Sequence, residues 1–121
     1  MLEKIQDAPA HIVALEASGT IVAHDVEAAI ATALGPSTAA TGVVVVIDRD
    51  FDGYFAELSR GLASAALAHK NLVRLAVVTE VDRMDEARLS GLEKSAVPIR
   101  LFAASERRAA YDWAAAARRG E

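Results

Sequence analysis

The sequence predicts an α/β fold in one domain over residues 1–121. The expected sheet is mixed and mostly parallel, with four or five strands, an antiparallel hairpin at its start and about four helices around it. Three observations lead there. Val43 to Ile47 is an unbroken β-branched run, which suits a central strand covered on both faces. Strand-like runs alternate with apolar stripes at helical spacing, and that alternation implies parallel pairing through right-handed crossovers. The chain is 121 residues long and 53% apolar, enough for one sizeable core.

Taken in order, Leu2 to Ile5 is a short edge strand. Asp7-Ala8-Pro9 is a turn, because Pro9 fixes its own φ and pushes Ala8 towards extended geometry. His11 to Ser18 is the second strand, hairpin-paired with the first and ended by Gly19. His24 to Leu34 is the clearest helix, with Val26, Ala29, Ile30, Ala33 and Leu34 on one stripe. Gly35-Pro36 stops it. Phe55 to His69 is a second helix, presenting Phe55, Leu58, Leu62, Ala65 and Ala66 on one side.

Leu72 to Val78 is another buried strand, interrupted only by Arg74. Asp82 to Glu93 reads as a helix with a loose apolar side of Met84, Leu89 and Leu92. Pro98 to Phe102 is the last strand. Ser105 is expected to cap a final helix, with Glu106 at its positive end and Arg118 and Arg119 at its negative end. Trp113, flanked by Ala109, Ala110, Ala116 and Ala117, is expected to pack that helix down.

Composition narrows the function classes. There are no cysteines, which excludes disulfides, iron–sulfur clusters and thiolate zinc sites. The net charge of −4 and the lack of a basic stripe give no electrostatic reason to bind nucleic acid. No stretch has the run of apolar residues that a membrane span needs. The start, MLEKIQDAPAH, lacks the pattern of a secretory signal, so the cytoplasm is the default location.

The most suggestive stretch is VVVVIDRDFDGY, Val43 to Tyr54. Its aspartates at 48, 50 and 52 open a calcium-loop pattern. A loop of that kind needs a bidentate carboxylate at position twelve, which here is Ser59, and it sits between helices. An apolar strand running into D-x-D also opens aspartyl-phosphate phosphatases. Asp48 and Asp50 could then serve a magnesium-dependent hydrolase, with Asp82 and Asp85 as downstream carboxylates. No paired Asp-Asp follows an apolar strand to complete that set. The plainer reading is a polar turn leading into a helix. Its aspartates would favour the helix dipole, Gly53 would take positive φ, and Phe51 and Tyr54 would fold back over the helix start.

Other chemistry is thin. His11, His24 and His69 fall on different elements. His24 and Asp25 are adjacent on a helix and do not face each other. Ser59, Ser64 and Ser90 have no nucleophile elbow around them, and the glycines form no phosphate loop. No cofactor is expected and no enzyme activity is indicated.

The chain resembles the SpoIIAA-like proteins, a branch of the STAS (sulfate transporter and anti-sigma-factor antagonist) fold. The resemblance rests on MLEKI, ASGTIVAHDVEAAI, VVVVIDRDFDGY, NLVRLAVVTEVDRM and VPIRLFAASERRAAYDWAAA, in that order along nearly the whole chain. It implies a bacterial, non-enzymatic binding or regulatory module. In anti-anti-sigma relatives a serine at the start of the helix after the third strand is phosphorylated, and the added charge breaks a partner interface. Asp50-Phe51-Asp52-Gly53-Tyr54 holds that place here, and Ser59 comes a full turn later. Acidic residues there would mimic a permanently charged state.

The branch is also associated with peripheral membrane contact and a small apolar pocket, through aromatic residues on the second and third helices. This chain has Leu58 and Met84 where tryptophans are expected, and keeps Tyr54 and Phe55. An exposed patch of Phe55, Met84, Leu89 and Leu92 would be a dimer face. The resulting expectation is a protein that binds a protein partner, a second copy or a small apolar ligand. Its contact residues would be Asp50, Phe51, Asp52, Gly53, Tyr54, Phe55, Leu58 and Met84.

Overall fold

The computed structural model describes residues 2–6, 8, 12–36, 39–92 and 96–116. Five strands form one sheet in the order β1-β2-β3-β4-β5. They are β1 (Leu2–Lys4), β2 (Ile12–Ala17), β3 (Thr41–Ile47), β4 (Leu72–Thr79) and β5 (Ile99–Ala103). The helices are α1 (Ala23–Leu34), α2 (Phe55–Ala68), α3 (Met84–Leu89) and α4 (Arg107–Ala116). Short 3-10 turns, Val81–Arg83 and Ala104–Glu106, precede α3 and α4.

β1 pairs antiparallel with β2, setting Glu3 opposite Glu16, and every later pair is parallel. The hairpin and the mixed, mostly parallel sheet are therefore as the sequence predicts. Gly19 and Gly35 both carry positive φ, 62° and 58°, which is why glycine ends β2 and α1. The predicted turn at Asp7 and Pro9, and His11, lie outside the described residues.

Successive parallel strands with right-handed crossovers put their connecting helices on one face. The packing agrees. Val13, Leu15, Val43, Val45, Leu75 and Val77 bury against Val26 and Ile30 of α1, Leu58 and Leu62 of α2, and Ala87 of α3. The opposite face buries Ala14, Val44, Ala76, Val78 and Phe102 against Ala110 and Ala114 of α4.

Strict alternation would send Leu72 and Leu75 to opposite faces. A register shift solves this. Thr41 pairs with Leu72 and Gly42 with Arg74, passing over Val73. Both leucines thus reach the core under α1–α3, and Arg74 turns towards α4. Its guanidinium lies 4.9 Å from the Trp113 ring centroid and donates to the Trp113 carbonyl at 2.8 Å. The interruption seen in the sequence of β4 is thus an anchor for the end of α4.

Two predicted helices begin or end differently. The 82–93 helix is only the 3-10 turn plus the six residues of α3, and Glu93 lies outside the described residues. Too few apolar positions hold it: Ala87 is buried, and Leu89 is 88% exposed. Ser105 does not cap the last helix. Glu106 does, its Oε1 accepting from the Ala103 amide at 2.9 Å. The buried stripe of α4 is Ala110 and Ala114, with Ala109 exposed and Trp113 half-buried beside Phe102. Ala117, Arg118 and Arg119 lie outside the described residues. Among the described residues no helix is long and apolar enough to cross a membrane.

Candidate functional site

The parallel strands all end on one side of the molecule, where open α/β sheets gather their loops. Four chain segments meet there: the loop from β2 to α1, the bend from Asp48 to Tyr54, the 3-10 turn after β4, and the corner into α4.

The bend is bonded to the end of β2 and the loop after it through Asp48 and Asp52. The Asp48 amide donates to the Ala17 carbonyl at 2.8 Å, and the Asp52 amide to Gly19 at 3.1 Å. Thr20 Oγ1 donates to Asp52 Oδ1 at 2.7 Å. Asp48 Oδ1 accepts from the Arg49 amide at 2.8 Å, and the Phe51 amide closes a turn onto the Asp48 carbonyl at 3.1 Å. Asp48 and Asp52 therefore shape the chain locally. Neither caps α2, whose N-cap position is Tyr54 with no side-chain bond.

Gly53 does not take positive φ. It is glycine because space is short: a Cβ there would lie 3.1 Å from both the Ile21 nitrogen and Phe51 Cε1. Phe51 folds inward as expected and meets Phe55 edge-on, centroids 5.4 Å apart. Tyr54 does the opposite and stands 76% exposed.

Arg83, missed by the sequence reading, locks this turn. Its guanidinium sits over the rings of Phe51 and Phe55, 5.3 and 5.0 Å from their centroids, and it donates to the Phe51 carbonyl at 2.7 Å. Arg49 reaches across to Glu80 at 3.2 Å. Between them Arg49, Glu80, Val81, Asp82 and Arg83 line a surface groove of ≈ 640 Å³. Arg83 closes the 3-10 turn that follows β4, and nothing in its sequence spacing marks it as the partner of Phe51.

Glu57 is a second missed residue. Its Oε1 accepts from the Ala23 amide at 3.0 Å, so a carboxylate on α2 satisfies an orphan donor at the start of α1. Its other oxygen pairs with Arg60. Ser59 Oγ lies 2.8 Å from Ser90 Oγ, and Ser90 donates to the Ala87 carbonyl at 2.5 Å, which holds α3 against α2.

The eight expected contact residues thus divide. Phe51, Gly53, Phe55 and Leu58 are buried and form the floor, Phe55 at 2% exposure. Met84 is half-buried on α3. Asp50, Asp52 and Tyr54 are exposed. The expected patch of Phe55, Met84, Leu89 and Leu92 does not exist as a surface, because Phe55 and Leu92 belong to the core. Exposed apolar side chains lie elsewhere on the rim, at Val22, Tyr54 and Val81.

The histidines do not meet. His24 is exposed at the start of α1, His69 follows α2, and His11 lies outside the described residues. Asp25 beside His24 accepts instead from the Val22 amide at 3.2 Å. Among the described residues no three His, Asp or Glu side chains converge as metal ligands would. Asp48, Asp50 and Asp52 point to different tasks rather than to one centre.

A family model described as SpoIIAA-like matches residues 12–115. No curated protein and no solved structure matches the chain.

Proposed function

Because the chain belongs to the SpoIIAA-like family, we propose that it works as a STAS-type binding module and engages a protein partner through the rim at the strand ends. One observation carries this reading. Val22 and Tyr54 are exposed, 47% and 76%, on two segments that meet at Gly53–Ile21 and Glu57–Ala23. The Phe51–Arg83–Phe55 stack and the Thr20–Asp52 bond hold the backbone beneath them. A rigid floor with a few projecting apolar anchors suits docking, since little ordering cost remains at the moment of binding.

Charge at the bend is permanent in this reading. Asp50-Phe51-Asp52-Gly53-Tyr54 holds the place that the resemblance gives to a switchable serine, so in this reading the docking state is fixed by sequence instead of by a kinase. The bulk of Phe55 and Leu58 fills the space under α2, which favours a surface partner over a small apolar ligand held there.

Affinity capture from a lysate of the source organism tests the proposal with three baits: the native chain, Tyr54→Ser and Leu67→Ser. Leu67 is equally exposed but lies near the far end of α2. A protein held by the native and Leu67→Ser baits and lost from Tyr54→Ser is expected. Equal retention on all three would overturn the rim as the docking surface.

A further inference from the structure

Resting on that reading of the rim, we infer that its partner presents a cationic segment carrying an apolar anchor. The segments that carry Val22 and Tyr54 are neighbours. Gly53 packs onto the Ile21 nitrogen, and Glu57 on α2 accepts from Ala23 at the head of α1, so the first turns of the two helices lie together. Three exposed carboxylates belong to the same segments: Asp25, Asp50 and Asp52. Two of them accept from neutral donors, Asp25 from the Val22 amide and Asp52 from Thr20.

The three arginines around the bend and the start of α2 are engaged by other groups. Arg49 pairs with Glu80 and Arg60 with Glu57, while Arg83 is lodged against two rings and the Phe51 carbonyl. Among the described residues no ion pair reaches Asp25, Asp50 or Asp52. The exposed apolar pair therefore shares its segments with carboxylates that no ion pair neutralises among the described residues.

A side chain that packs between Val22 and Tyr54 brings its flanking residues within a screening length of those charges, about 10 Å at 0.1 M salt. Lysine or arginine flanks are drawn in and steered; glutamate, phosphate or anionic lipid flanks are repelled. The carboxylates do not converge, so a bare metal ion does not meet the same need.

Fluorescence anisotropy of the full chain with labelled peptides tests the inference. The probes are a short peptide alternating lysine with leucine around one tryptophan, its glutamate counterpart, and a lysine–serine peptide. The lysine–leucine peptide should bind and the glutamate peptide should not. The lysine–serine peptide should bind more weakly for want of an anchor. Binding should fall steeply between about 0.1 and about 1 M salt, as the screening length shrinks to about 3 Å. Asp25→Asn with Asp50→Asn should weaken it about tenfold, and Tyr54→Ser by a similar factor.

Equal binding of the lysine and glutamate peptides, or unchanged binding by the Asp25→Asn/Asp50→Asn chain, would overturn the inference. Partner capture separates this failure from failure of the rim. A capture that Tyr54→Ser abolishes and the double asparagine variant retains keeps the rim and removes the cationic partner. Capture that survives Tyr54→Ser removes both.

Discussion

The two faces of the sheet are closed in opposite ways. Under α1, α2 and α3 the closure is made by large side chains, Ile30, Phe55, Leu58 and Leu62 among them, fitted against the valines and leucines of the strands. Under α4 it is made by leaving side chains out. Gly42 of β3 meets the backbone of Ala114, and a Cβ at Gly42 would stand 2.2 Å from the Ala114 carbonyl oxygen. The helix contributes little more than methyl groups, Ala110 and Ala114, and its end is fixed by the Arg74–Trp113 contact. One face is held by volume, the other by proximity. The rim belongs to the first kind: its floor is Phe51 and Phe55, so whatever loosens that face should loosen the docking surface too.

Removing volume is the harshest test. Phe55→Ala deletes a buried ring and the platform beneath Arg83, and should cost about 4 kcal/mol. Urea denaturation reads the loss. The same variant should weaken partner capture even at temperatures where it stays folded, because Arg83 no longer holds the Phe51 carbonyl in place. Native-like capture from a clearly destabilised Phe55→Ala chain would show the rim to be independent of its floor.

Adding volume tests the other face. Gly42→Ala places a methyl where the α4 backbone already lies, and should cost about 3 kcal/mol. The helix must shift outward, so Trp113 should lose its contacts with Phe102 and Arg74 and its emission should move to the red. The rim, at the opposite end of the strands from Gly42, should still capture its partner. An unchanged unfolding midpoint with unchanged Trp113 emission would mean that α4 does not need that close approach.

The contrast also explains what the sequence could show. Strands and helices were legible because volume repeats with a period: Val26, Ile30 and Leu34 lie on one stripe, and Val43 to Ile47 reads at once as a central strand. Proximity leaves no period. Gly42 looks like one more glycine at a strand start, and Arg74 looks like a flaw in β4 until the register shift turns it towards Trp113. The site was half legible. The bend was located by its Asp-Phe-Asp-Gly-Tyr pattern, and burial alternates strictly through it, Phe51, Gly53 and Phe55 in, Asp50, Asp52 and Tyr54 out. Tyr54 is the one aromatic on the outward side of that alternation, which is why its direction is misread from residue type alone. Arg83 and Glu57 act on segments more than thirty residues away. Such partners are set by topology.

A smaller effect separates side-chain volume from polar ties within the first face. Glu57→Ala removes the carboxylate that accepts from the Ala23 amide, leaving a donor at the head of α1 without it. The expected cost is about 1 kcal/mol, nearly all from that lost cap, since the partly exposed pair with Arg60 contributes little. Amide hydrogen exchange should quicken in the first turn of α1 and stay unchanged in α4. Faster exchange spread evenly over both helices would mean that Glu57 supports the whole domain and not the α1–α2 junction.

The smallest effect is the most informative about the rim. Asp50 and Asp52 are both exposed, two residues apart, yet only Asp52 is tied down, through Thr20. Asp52→Ala should therefore cost about 0.5–1 kcal/mol. Asp50→Asn should leave stability within about 0.5 kcal/mol of the native chain. A residue that adds nothing to folding and still projects a charge from a rigid floor is free to be used by a partner. If urea midpoints show Asp50→Asn to be as damaging as Asp52→Ala, Asp50 is a structural carboxylate like its neighbour. The negative field around Val22 and Tyr54 would then follow from how the bend is built, and would no longer point to what docks there.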